Sequence, residues 1–242
     1  MGHLNTPKER ERTVAGARKY VQSQEDVPQV ADICDLRRAF DRELKHYFAL
    51  AALSRSKSSP KALADSAHSI VFSFRVLLER RLSVALRNCD LSDPITLLQM
   101  GCFYGFSKKQ GTSVRMPLTT CKPTKLCAGA CYAHDVLDAA PASVIRGVIN
   151  GIVAEQFEHG PASCRESVML ALSNHSKRAI QSSLNEVRAL KGSGWNRRAF
   201  IRFSHVGEIT KYPEFANALA EQVHEQSGGR VDCVVYTRHS NA

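Results

Sequence analysis

Residues 199–236, AFIRFSHVGEITKYPEFANALAEQVHEQSGGRVDCVVY, decide the fold class. Ala199 to Val206 is rich in β-branched and aromatic residues and predicts a strand. Pro213 can open a helix because it needs no backbone N–H there. Phe215, Leu219 and Val223 then recur at four-residue steps on one face, as an amphipathic helix over Pro213 to Gln226 requires. Gly228-Gly229 supplies the stop, and Val231 to Tyr236 predicts a second strand. A strand, a crossover helix and a second strand of these lengths make a parallel βαβ unit. Gly207-Glu208 and Thr237-Arg238-His239 therefore leave the same carboxyl edge of a sheet, the edge where α/β proteins gather their sites.

Working back towards the amino terminus, residues 162–191 are helical by composition, with an interruption expected near Ser173 to Ser176. Pro141 starts a further helix with Val144, Val148 and Ile152 on one face, ending near His159-Gly160-Pro161. Aromatic and β-branched residues between Gly101 and Leu118 predict one or two strands, and Asp93-Pro94 starts a short helix before them. Leu63, Ala67, Ile70, Phe74, Leu78 and Leu82 trace the buried stripe of a helix capped at Ser59-Pro60. Val30, Ile33, Leu36, Phe40, Leu44 and Phe48 trace another from Pro28, and the two form a helical hairpin. The resulting expectation is a flexible basic arm or one frayed helix over 1–26, a helical region over 27–99, and an α/β domain over 100–242. Its sheet is read as a reduced or partial (β/α) barrel-like parallel sheet.

The chain has 242 residues, a net charge of +10 and eight cysteines, most of them single and in apolar or helical surroundings. No secretory signal opens it, so the cysteines suggest a reducing, cytoplasmic setting. The longest apolar run, Ser69 to Leu78, is too short and interrupted for a bilayer, so membrane insertion is not expected. The positive charge points to an anionic partner, DNA or RNA among them. Between Asp93 and Asp135 there is no acidic residue, while Lys108, Lys109, Arg115, Lys122 and Lys125 are present. Those charges equally suit a solvated loop that offsets negative charge nearby.

Within that stretch, CKPTKLCAGACYAH places Cys121, Cys127 and Cys131 in eleven residues. Thiolates bind borderline and soft metals, and Pro123 and Gly129 permit the tight backbone that would bring three of them to one centre. An iron–sulfur cluster on three thiolates keeps one iron open, which S-adenosylmethionine can chelate through its amino and carboxylate groups. Glu208, at one strand end, is placed to accept from the amino group, and Arg238, at another, to hold a carboxylate or phosphate.

The CxxxxxCxxxCYA pattern, the later Gly207-Glu208 pair and the terminal Tyr236-Thr237-Arg238 together resemble a family of phage- and plasmid-borne proteins distantly similar to radical S-adenosylmethionine enzymes. The similarity spans roughly residues 112–239 by motif order and spacing. It implies a [4Fe–4S] cluster on Cys121, Cys127 and Cys131, Tyr132 packed beside it, and Gly207-Glu208 facing the S-adenosylmethionine. The cysteines are spaced more widely than in the usual CxxxCxxC motif, and the residues after Cys131 are too few for the full catalytic barrel, so either the barrel is heavily reduced or catalysis is lost. A rival reading adds His134 to give a Cys3His zinc site, structural rather than catalytic, in a non-enzymatic DNA- or RNA-binding protein. The βαβ context and the absence of tandem fingers favour iron and sulfur.

Other residues carry plainer expectations. Cys34, Cys89, Cys164 and Cys233 are read as small buried hydrophobes, and Cys102 as a weak fourth ligand. His175 is read as a surface residue at a helix break, His205 as a buried histidine, and Trp195 as a loop residue packed on its domain beside Arg197 and Arg198.

Overall fold

The structure, a computed structural model, describes residues 6–23, 26–88, 93–100, 103–107, 111–121, 131, 136–190, 198–203 and 207–235. The chain divides into two compact units, Met1–Ser92 with Cys121–Ile145, and Asp93–Thr120 with Arg146–Ala242. The cysteine segment thus groups with the amino-terminal helices, and residues 93–99 with the sheet, whereas the sequence reading draws one boundary near residue 100.

The first unit is helical. Residues expected as an arm or frayed helix form α1, Pro7–Gln22, closed by a capping box between Thr6 and Glu9. Its buried face, Val14, Ala17 and Tyr20, accounts for the order: Tyr20 stacks on Phe74 with ring centroids 4.3 Å apart. The helix expected from Pro28 to Phe48 is two, α2, Ile33–Ala39, and α3, Asp41–Ser54, broken at Phe40. Phe40 is fully buried at that break, and Tyr47 rather than Phe48 takes the inward position. The expected second helix is α4, Lys61–Arg87, whose buried apolar stripe is Ala67, Val71, Phe74, Leu78 and Leu82, with Pro60 in place of Ser59 at its cap. A short helix α5 follows the cysteine segment at Val136–Ala139, and α6, Pro141–His159, runs on past the unit boundary.

The second unit holds the sheet. Asp93 caps a short helix, α7, Pro94–Met100, by accepting from the Thr96 backbone at 2.8 Å. β1, Tyr104–Ser107, and β2, Gly111–Val114, form an antiparallel hairpin, because a three-residue connection cannot make a parallel crossover. β3, Ala199–Phe203, lies parallel to β2, and β4, Val231–Val235, parallel to β3, in the order β1-β2-β3-β4. The crossover helix, α9, is Pro213–Ser227, ended by left-handed Gly228, so the βαβ unit stands as its sequence predicts. The fold is mixed α/β and mostly helical. Its four-stranded sheet is open, with β1 and β4 as edges, and is not closed into a barrel among the described residues.

The helix α8, Ala162–Leu190, is continuous through the expected interruption. The polar residues that suggested a break have partners: Ser176 bonds the Tyr104 hydroxyl at 3.0 Å and Gln222 at 2.8 Å, and Gln226 donates to Ser173 at 2.8 Å. They fasten α8 to β1 and α9 instead of facing water. Phe215 from α9 packs edge-on against Phe103 and Phe157 and closes the apolar core of this unit. Among the described residues no helix is long and apolar enough to cross a membrane.

Candidate functional site

Cys121 and Cys131 bracket the cysteine segment. Cys121 is half-buried and follows a 3-10 turn, Leu118–Thr120, and Cys131 is buried. Cys127, Tyr132, His134 and Arg238 lie outside the described residues, as do Cys89, Cys102, Trp195, Arg197 and His205.

The carboxyl-terminal end of the segment is tied to the helical hairpin by two arginines. Arg55 donates from Nη2 to the Cys131 carbonyl at 2.7 Å, and Arg75 from Nη1 to the Asp138 carbonyl at 3.2 Å. Arg75 lies wholly inside the unit, ion-paired with buried Glu79 one turn along α4, with its guanidinium 5.1 Å from the Tyr47 ring centre. Burial opposes the Arg75 charge, but Glu79 and the Tyr47 oxygen outweigh it, so the guanidinium is held charged. Burial likewise pushes the Tyr47 phenol up to about 12, against the pull of Arg75. A buried charge survives only where such partners surround it. Sequence reasoning missed this group: Arg75 and Glu79 stand at i, i+4 on a face otherwise read as apolar, and that spacing is the signal that could have disclosed them.

The amino-terminal end is fixed inside the sheet unit. At the carboxyl end of β3 the chain turns through Gly207 with φ of +73°, and a Cβ there would lie 2.5 Å from the Pro117 carbonyl oxygen and 2.6 Å from the Met116 carbonyl carbon. Both the left-handed conformation and the backbone approach demand glycine. The next residue, Glu208, is buried, and its N–H donates to the Thr120 hydroxyl at 2.7 Å, which itself donates to the Pro117 carbonyl at 2.7 Å. Thr120 immediately precedes Cys121. The Gly207-Glu208 turn is therefore clamped to the residue from which the cysteine segment departs. Thr120 and Met116-Pro117 carry no motif, and only the folded backbone reveals them. The Glu208 carboxylate accepts a long bond from the Thr210 hydroxyl at 3.4 Å.

Several plainer expectations change. Cys34 is exposed, because α2 turns Leu36 inward and Cys34 out. Cys164 and Cys233 are half-buried. Burial, then Asp232, pushes the Cys233 thiol up to about 11, so it is held as a neutral thiol, a poor ligand or nucleophile. His175 sits within α8 rather than at a break, with burial and Arg178 holding its imidazole below the ordinary range. Arg198 is exposed and pairs with Asp232 at 3.2 Å. Among the described residues no three His, Cys, Asp or Glu side chains are grouped to hold a metal ion. A metal reading thus concerns Cys121, Cys127 and Cys131 together. Comparison with protein-family models, curated proteins and solved structures returns no match.

Proposed function

We propose that the chain is an iron–sulfur protein resembling radical S-adenosylmethionine enzymes, of the kind borne by phages and plasmids, with Cys121, Cys127 and Cys131 as cluster ligands. One observation carries the reading: the residue before Cys121 is hydrogen-bonded to the turn that follows β3. The cysteine segment thereby starts from the carboxyl edge of parallel strands, where α/β proteins place ligands. The donor set suits the group, since three thiols leave one iron open, and the Arg55 guanidinium at the Cys131 backbone offers charge opposite to that of a thiolate cluster. When bound, a [4Fe–4S] cluster supplies one-electron reduction. The protein supplies Glu208 to accept from the amino group of S-adenosylmethionine, Arg238 to hold a carboxylate or phosphate, and Tyr132 as a packing wall.

Oxygen-free purification tests this. Brown protein with iron and sulfide in near-equal amounts is expected, lost in Cys121→Ser, Cys127→Ser and Cys131→Ser alike. Colourless protein holding one zinc would overturn it and favour the Cys3His site with His134. Glu208→Gln should keep the cluster and weaken S-adenosylmethionine binding. The net charge of +10 favours a nucleic-acid-related or other anionic substrate for the iron–sulfur protein, and DNA or RNA as the binding partner for the zinc alternative. Binding to DNA or RNA that falls steeply with salt is the expected sign.

A further inference from the structure

Side-chain alternation gives the two faces of the sheet different chemistry. Tyr104, Val114, Ile201 and Phe203 point to one side, where Tyr104 meets Ser176 of α8 and the aromatic core closes. The opposite side carries, in one row across the four strands, Gly105, Ser113, Arg202 and Val234. Gly105 has no side chain to fill the space above it, and two cations enter that space from other elements. A Cβ on Gly105 would lie 3.1 Å from Arg146 Nη1, on α6, and 3.7 Å from Arg115 Cζ, one residue past β2.

Two guanidinia thus converge on one point above a bare backbone. Arg202 stands two strands along the same row, about 10 Å away at the usual strand spacing. Among the described residues Arg146 has no hydrogen-bond or ion-pair partner, although it is half-buried. The half-buried Arg146 guanidinium beside that of Arg115 is favoured by an oxyanion within its reach, since opposite charges attract strongly where water is partly excluded. The guanidinium fork matches a phosphate or a carboxylate in two parallel bonds. Val114 and Phe203, where β2 and β3 end, put the residues that follow at the carboxyl edge already described for Glu208.

We propose that Arg115 and Arg146, converging over Gly105 with Arg202 in the same row, form an oxyanion-binding subsite for the phosphate or carboxylate of a small ligand. The subsite lies wholly within the sheet unit and does not depend on the metal identity. Metal analysis and anion binding therefore fail separately.

The test is calorimetric titration of the full chain with pyrophosphate and, separately, with malonate at fixed ionic strength. Saturable one-to-one binding of at least one probe is expected, weakened about tenfold or more by Arg146→Gln. Arg178→Gln, an exposed arginine on α8, should bind as the parent does. Gly105→Ala gives a second readout: its methyl would meet the flexible end of Arg146 at 3.1 Å and should weaken the same probe while the protein stays folded. Preference for pyrophosphate assigns a phosphate ligand, and preference for malonate a carboxylate. Absence of saturable binding by both probes, or binding unchanged in Arg146→Gln, would overturn the proposal.

Discussion

Replacing Gly207 by alanine tests the clamp that positions Glu208. A non-glycine residue in the left-handed region costs about 1–2 kcal/mol. The added methyl also meets backbone at 2.5–2.6 Å, from Pro117 and Met116, where no flexible side chain can yield. Overpacking of this kind costs about 1–3 kcal/mol, and the stiffer unfolded chain returns about 0.4–1 kcal/mol. The net loss is then roughly 2–4 kcal/mol, a large share of the ~5–15 kcal/mol that holds a protein folded. Gly228→Ala is the matched control, because Gly228 has φ of +59° but nothing within 4 Å of its would-be Cβ. It should lose about 1 kcal/mol from conformation alone, the left-handed penalty less the gain from a stiffer unfolded chain. Urea unfolding followed by far-ultraviolet circular dichroism measures both. If Gly207→Ala loses no more than Gly228→Ala, residues 116–117 do not press on the turn, and the account of how Glu208 is held is wrong.

Thr120→Val leaves the buried Glu208 N–H without its acceptor and should cost about 1–3 kcal/mol in thermal unfolding, whereas Thr120→Ser keeps the hydroxyl and should stay near the parent. Arg75→Met strands the buried Glu79 carboxylate at a cost of about 3–5 kcal/mol, and the double variant Arg75→Met with Glu79→Leu should lose much less than the sum of its singles in a double-mutant cycle. His175 has its folded pKa lowered, so folding favours the neutral ring. Stability should be complete above about pH 6.5 and decline as pH falls below it, and His175→Gln should flatten that part of the profile, read from unfolding midpoints across pH.

Local pattern was enough wherever one apolar face settled the element. The four-residue steps of Phe215, Leu219 and Val223 and the Gly228 stop predict α9, and the βαβ unit stands in parallel register between Ala199–Phe203 and Val231–Val235. Pattern misled where polar residues are satisfied at a distance. Ser173 and Ser176 look like a helix break, but Gln226, Gln222 and Tyr104 complete their hydrogen bonds from other elements. The arm of 1–26 looked featureless because Val14, Ala17 and Tyr20 are few, and their value comes from Phe74 on α4.

For the candidate site the division is sharper. The amino-acid order alone determined that three thiols share one short segment and that Gly207-Glu208 follows a parallel strand, since both are matters of spacing and period. Only the tertiary structure decided that Gly207 touches Met116-Pro117, that Thr120 binds Glu208, and that Arg115 and Arg146 meet over Gly105. Those contacts join residues far apart along the chain. They depend on backbone close approach and on guanidinium reach, neither of which leaves a periodic trace in a one-dimensional string.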